Sequence, residues 1–443
     1  VLLIVFFPQL PSAYKFDAEE AFNNIEALSS DKYRGRLAGT DENEELAEYI
    51  QTEMKSYGIQ PFDGEFLHEF DIERSINIKN ATLELVGSSA GDKKFEFRKD
   101  YYVSSPINFS GEFEVVKLEV NELYEMNRAQ REALLENDLD KKLIMINIYG
   151  NMDYRVINTV LQFIVNQARP QAIIFLDGWE REGYVSKHII INKIFSNTAV
   201  VSVSKEMGDE MQRMGNSKIK VSVEADVYEN TKGYNVMGYI PGTDETKKGQ
   251  SIIIGSKLDF VGDDSNIRYQ GALEAGGLAV QLEIAKKLAA SGIKPKQDII
   301  FAFWDGSYNE YRGSSYFVKK YVDSGKIKQV TYIDIGNLAN KQEKTLLMDT
   351  SRIFPKNKDA QTYIKILKDN ARKQGVKIGY GSVSSPLMID LNSKIIQSML
   401  ISNTDKEGIS TTSKDTIDMI DRNRYKKIGQ MLLDTIVEIA RGK

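Results

Sequence analysis

Leu46, Ile50 and Met54 recur every four residues after Thr40, and this single apolar stripe predicts a helix that ends at Tyr57-Gly58. An earlier helix is expected from Asp17 to about Leu28, because Asp17 followed by Glu20 has the spacing of a capping box. Between the two lies a loop rich in glycine and arginine, Tyr33-Arg-Gly-Arg-Leu-Ala-Gly-Thr40. From about Phe66 the pattern changes to short alternating runs, Ala81 to Val86 and Glu112 to Val120, which read as strands. An α/β-like piece follows: strand Leu143 to Ile148, helix Arg155 to Gln167, strand Ala172 to Leu176. Ala199 to Val203 and Ile219 to Val223 add two more strands.

After Gly233 the two periods alternate. Strands are predicted at Ser251 to Ile254, Asp298 to Phe303, Val330 to Ile335 and Ser398 to Ile401. Helices are predicted at Glu274 to Ala290, Ser314 to Tyr321, Asp359 to Lys373 and Asn423 to Arg441. Such alternation gives the fold class α/β, a mostly parallel mixed sheet flanked by helices. The β-rich middle reads as an insertion, so the expected organisation is 1–13, 14–65, 66–230 and 231–443, with 14–65 and 231–443 forming one domain. Ligands of open α/β sheets bind beyond the carboxyl ends of the strands. Lys257, Asp259, Trp304 to Tyr308 and Asp334 fall at such ends.

Composition narrows the chemistry. The chain has 443 residues, no cysteine and a formal net charge of −5 without long single-sign runs. Disulfides, thiol nucleophiles and cysteine-based zinc sites are excluded, and nothing offers a nucleic acid an electrostatic footprint. The run Val1-Leu-Leu-Ile-Val-Phe-Phe7, then Pro8 to Ala13, has the apolar core and polar exit of a signal peptide, so residues 1–13 are expected to be a signal-peptide remnant or anchor of an exported protein. Membrane contact is expected only through that segment. The chain's two histidines, His68 and His188, are read as surface or loop residues, since neither falls at a strand end of the main sheet.

Several segments, in order, resemble one family. Leu28 to Thr40, Asn235-Val-Met-Gly-Tyr-Ile-Pro-Gly-Thr243, Leu282-Glu-Ile-Ala285, Phe301-Ala-Phe-Trp-Asp-Gly306 and Arg312-Gly-Ser-Ser-Tyr-Phe317 are similar to the co-catalytic zinc aminopeptidases of metallopeptidase clan MH, of the bacterial leucyl aminopeptidase and aminopeptidase Y type. The middle region, with Lys142-Leu-Ile-Met-Ile-Asn-Ile148, resembles the protease-associated domain that many members insert. The resemblance implies the zinc-aminopeptidase-like phosphorylase/hydrolase fold. It also implies two zinc ions held by a bridging Asp and one His plus one carboxylate on each side, with a Glu as general base.

At those positions this chain departs from the family. The first metal His falls on Lys257, and the Asp that orients it on Asp259. The bridging Asp falls on Leu273, or on Glu274 with a one-residue deletion. The base and the paired Glu ligand fall on Ser307 and Tyr308, and the final His falls on Thr411. Only Asp334 is retained as a metal ligand. The expectation is therefore a degenerate member with no catalytic residue, no metal and no cofactor. It would be an exported binding or scaffold protein with a peptide or protein ligand, comparable to the transferrin receptor and nicastrin ectodomains. Lys257 is expected to take the charge role of a missing zinc, held by Asp334 and Glu274. The alternatives are an active zinc aminopeptidase with two zinc ions and a Ser307/Lys257 hydrolase. The aromatic cluster Tyr308, Tyr311, Tyr316, Phe317 and Tyr321 reads chiefly as packing. Arg34-Gly-Arg36 is expected to pack on the main domain rather than bind phosphate.

Overall fold

The computed structural model describes residues 14–87, 91–105, 107–147, 154–179, 198–213, 218–265, 267–351, 353, 358–381, 396–403, 409–410 and 412–442. The 1–13 segment, His188 and Thr411 lie outside these residues. Two compact units are present. The first takes residues up to Glu73, Glu229–Gly262 and Tyr269–Lys443; the second takes Arg74–Tyr228 and Asp263–Arg268.

The first unit is built on a mixed, mostly parallel sheet. Its centre is β2 (Gln250–Lys257), flanked in parallel by β3 (Asp298–Trp304) and β4 (Gln329–Ile335), with β5 (Ile396–Asn403) parallel to β4. On the outer side of β3 lies β1 (Lys218–Ile240), antiparallel, and Leu346–Asp349 runs antiparallel to β5. Apolar runs such as Ile252-Ile-Ile254 and Phe301-Ala-Phe-Trp304 are buried on both faces, as parallel strands covered by helices require. Gly255 has no side chain because Trp304 and Tyr332 cross above it. Trp304 Nε1 donates to Tyr332 Oη at 3.0 Å, and a Cβ at Gly255 would lie 2.5 Å from that nitrogen.

Five helices cover this sheet: α1 (Ala18–Leu28), α2 (Asp41–Ser56), α3 (Ala272–Ala290), α4 (Lys358–Gln374) and α5 (Arg422–Ala440). The first is opened by Asp17, whose carboxylate accepts from Glu20 N at 3.1 Å. In α3 apolar residues run round the whole circumference, the mark of a helix buried on all sides. Its one long buried amide, Gln281, donates to the carbonyls of Ile254 (3.0 Å) and Ala302 (3.1 Å), fixing helix to sheet. The expected helix over Ser314 to Tyr321 is a short α-turn, Arg312–Phe317, that widens into a π-turn at Val318–Val322. Among the described residues no helix is long and apolar enough to cross a membrane.

The second unit is itself α/β. Phe109–Glu119, Leu143–Asn147, Ala172–Trp179 and Ala199–Ser204 lie side by side in parallel, and Tyr101–Ser105 closes one edge antiparallel. Alternate side chains divide into two cores. Leu143, Met145 and Ile174 face one way, while Ile144, Ile146 and Ile173 face the helices Val120–Glu125 and Tyr154–Phe163. Residues 263–268 belong to this unit as a two-stranded addition, where Asp264 pairs with Ile78 in the sheet and with the Arg98 guanidinium.

Candidate functional site

The carboxyl edge of the central strands gathers the residues singled out in the sequence. Lys257, the last residue of β2, stands in register with Trp304, and Asp334 with Gly255. Just beyond β2 the chain is held by Leu258 N donating to Trp304 O at 2.7 Å. Asp259 is fully buried and accepts the backbone N–H groups of Ser307 (2.9 Å) and Tyr308 (3.0 Å). Its neighbour Asp305 accepts from Asn43 Nδ2, Tyr234 N and Gly306 N, each at 2.8 Å. These two acids shape the turn after β3, where Gly306, Glu310 and Tyr311 all take positive φ (64°, 56° and 57°). Left-handed backbone costs a non-glycine residue about 1–2 kcal/mol, so the two together persist only because the surroundings fix them.

Lys257 meets Glu274. Nζ lies 2.8 Å from Oε1, and the Tyr308 hydroxyl donates to the same oxygen at 2.9 Å. The ammonium also sits over the Tyr308 ring, 4.8 Å from its centroid. The ladder continues, since Tyr308 packs edge-on against Phe260 at 5.5 Å and the Arg36 guanidinium covers Phe260 at 5.2 Å. Two fixed cations thus bracket two aromatic rings and one carboxylate. Oε2 of Glu274 is buried without a hydrogen-bond partner among the described residues.

Glu274 is aimed by the start of α3. Gly271, at φ 59°, has no side chain to cap the helix, and Asp415 caps it instead, its carboxylate accepting from Leu273 N at 2.8 Å. The Leu273 side chain is fully buried and presents no donor atom to the site. The Arg34-Gly-Arg36 loop packs onto the same place. Phe260 N donates to Arg36 O (2.7 Å), Gly262 N donates to Gly35 O (2.8 Å), and the buried Arg36 guanidinium donates to the carbonyls of Leu28, Gln270 and Gly271. Gly35, at φ 69°, touches backbone: a Cβ there would fall 2.1 Å from Gly262 O.

Burial and charge set the protonation states. Burial alone would pull the Lys257 ammonium down, but the Glu274 carboxylate and the Tyr308 phenol beside it outweigh that and hold it well above its ordinary value. Tyr308 is driven well up by burial and by Glu274, so its phenol stays protonated. Asp259 is raised to about 8 by burial and by the charge of Asp305, against the pull of its two backbone donors and Lys257. Burial raises Asp305 to about 6.

Among the expected site residues, Lys257, Asp259, Glu274, Ser307 and Tyr308 are brought together, with Leu273 behind them in the core. The expected partner of Lys257 needs correcting. The ammonium lies within ion-pairing distance of Glu274, on the first turn of α3, rather than of Asp334, which is buried on β4. The Ser307 hydroxyl donates to Trp304 O at 3.2 Å, and its partner is that carbonyl rather than the lysine.

His68 is a second correction, being fully buried rather than on the surface. Its Nδ1 lies 3.0 Å from the Tyr321 hydroxyl, and burial together with the charge of Lys320 pushes it down to about 4, so the ring is neutral. The alternation His68, Phe70, Ile72 along Leu67–Val86 was the available signal, for all three face inward. Phe317 and Tyr321 are core residues and Tyr316 packs on Phe70, in line with a packing role for that aromatic cluster. Asn43 and the capping role of Asp415 were missed, since one meets the Asp305 carboxylate 262 residues away and the other meets Leu273 N 142 residues away, contacts that no spacing announces. Among the described residues, no group of three or more His, Cys, Asp or Glu side chains is placed to share a metal ion.

An α/β domain with a site at the carboxyl edge of its parallel strands, and a second unit inserted into it, defines the class. Residues 235–436, which include Lys257, Asp259, Glu274, Ser307, Tyr308 and Asp334, match the model of Peptidase family M28. Solved structures extend the likeness to nearly the whole chain. An aminopeptidase from Aneurinibacillus sp. strain AM-1 is 19% identical with a TM-score of 0.69, covering 97% of this chain and 95% of its own. A zinc aminopeptidase from Bacillus subtilis is 16% identical, TM-score 0.68, covering 97% and 96%. A peptidase M28 precursor from Shewanella amazonensis SB2B is 14% identical, TM-score 0.65, covering 96% and 94%. At these identities the likeness is one of fold.

Proposed function

We propose that this chain is a non-catalytic aminopeptidase-like protein that binds a peptide or protein ligand, outside the cytoplasm as its apolar first residues suggest. The observation that carries the reading is the Lys257–Glu274 ion pair at the end of β2. An ammonium has no lone pair for a metal, and here it stands where the resemblance calls for a metal-binding imidazole. The other donors do not fit two zinc ions either. Leu273 has no donor atom, Ser307 is turned to a carbonyl, and the Tyr308 phenol is protonated and spent on Glu274. Electrostatically the replacement is coherent: where family members balance clustered carboxylates with zinc, Lys257 and the buried Arg36 supply fixed positive charge.

A Ser307/Lys257 hydrolase is disfavoured by the same contacts. A lysine that activates a serine must be neutral and within reach of its hydroxyl. Lys257 is held protonated by Glu274, and the Ser307 hydroxyl faces Trp304 O. The active zinc aminopeptidase reading draws on the family match of residues 235–436 and on Asp334. Hydrolysis of aminoacyl-nitroanilides, with and without added zinc, separates the readings. No turnover is expected under either condition; zinc-dependent turnover would overturn the proposal.

A further inference from the structure

A cavity of about 550 Å³ opens in the first unit, away from the site, between the lead-in to α1, the end of α4 and the first turns of α5. Its floor is fixed. Phe16 is buried, packs edge-on against Tyr425 with ring centroids 6.2 Å apart, and sits so close over Gly429 that a Cβ there would come within 2.4 Å of the ring. Gln430 has both ends of its amide engaged: Oε1 accepts from Phe16 N at 2.9 Å, and Nε2 donates to Tyr14 O (2.9 Å) and to Asp434 (2.8 Å).

The rim carries Lys15, Lys426 and Lys427. All three are exposed, and among the described residues none has an ion-pair partner. Their cationic neighbours are paired: Arg422 with Glu19, Lys373 with Glu438 and Arg372 with Asp369. The acids close by are already engaged. Asp434 accepts from Gln430 and Gln374, and Asp17 caps α1. Asn423 brings the first turn of the 19-residue α5, with its partial positive charge, to the same opening. Three like charges around a concavity repel unless a counter-charge sits among them, and a concave wall focuses their field.

We propose that this pocket binds a phosphate group, with the three lysines neutralising it. The group could be borne by an anionic lipid headgroup or by a soluble phosphate.

The test compares the full chain with a Lys15→Gln/Lys426→Gln/Lys427→Gln variant in two arms, the variant's circular dichroism checking its fold. In flotation with vesicles of phosphatidylcholine alone or with a fifth phosphatidylglycerol, the wild type should bind the anionic vesicles about 10-fold or more tightly than the variant, the difference shrinking with salt. Any pull from the apolar first residues is common to both proteins. In the second arm, inorganic phosphate replaces chloride at matched ionic strength, and the wild-type Tm should rise while the variant's stays put. A difference in the vesicle arm assigns the phosphate to a lipid. A difference in the phosphate arm alone assigns it to a soluble ligand. Equal behaviour of the two folded proteins in both arms would overturn the proposal. Neither arm reads peptidase activity, so the outcome is independent of the catalytic question.

Discussion

An ammonium placed between a carboxylate and an aromatic ring is a demanding arrangement, and at residue scale most of the site's energetics follow from it. The side chains of Lys257 and Glu274 are 25% and 10% exposed, so the pair is largely but not wholly dry. Removing one partner of a buried pair costs about 3–5 kcal/mol, mostly by stranding the other charge. With this partial exposure, Lys257→Met should destabilise by about 2–4 kcal/mol. Adding Glu274→Gln should return part of that loss, with a coupling energy of about 2 kcal/mol in a double-mutant cycle read by denaturant unfolding. Additive single changes would show that the pair does not hold the site.

The two buried acids make the opposite kind of contribution. Carboxyls raised from 3.8 to about 8 (Asp259) and about 6 (Asp305) bind more protons in the folded chain than in the unfolded one across that window. Stability from this source is therefore lost as pH rises from about 4 to about 8. The Lys257 pair adds no slope there, because its folded value lies well above the usual lysine range and its contribution fades only in strong alkali. Calorimetric Tm should fall between pH 5 and pH 8, with a shallower slope in Asp259→Asn; parallel profiles would contradict the assignment.

At the scale of elements, the site depends on where α3 begins. Its first turn has no cap of its own at Gly271, and Asp415, 142 positions on from Leu273, supplies one. Asp415→Ala should cost about 1–2 kcal/mol, the worth of an N-cap, and appear as a lowered Tm. Unchanged stability would mean that other contacts hold α3. The periods of 2 and 3.6 made most elements legible, α2 and α5 to within about two residues. They could not show that α3 starts at Ala272, because Gly271 takes its cap from a distant residue. Nor could they show that the helix after Arg312 widens at Val318, since a single turn is too short for the apolar pattern to separate an i→i+4 helix from an i→i+5 one. His68 was misread for a related reason: a polar residue at an inward position of an alternating strand can satisfy itself against a tyrosine hydroxyl.

For the whole molecule, the alternation after Gly233 was enough to place a mostly parallel sheet and to point at its carboxyl edge, where Lys257, Asp259, Ser307 and Tyr308 converge. What stayed hidden was the three-dimensional pairing. Nothing in the spacing of Lys257, Glu274 and Asp334 said which acid the ammonium would meet, because that depends on how α3 lies across β2. The thread of residues 263–268, which leaves the first unit between Gly262 and Tyr269 to join the second, was invisible for the same reason.

The central claim is that an internal ion pair has replaced a metal centre, and zinc content tests it most directly. After dialysis against excess zinc and then zinc-free buffer, elemental analysis of the purified chain should find less than about 0.1 zinc per chain, because Lys257 occupies the place of a ligand and, among the described residues, no group of three or more His, Asp or Glu side chains is placed to share a metal ion. Retention of about two zinc ions per chain, the complement of a co-catalytic centre, would contradict it.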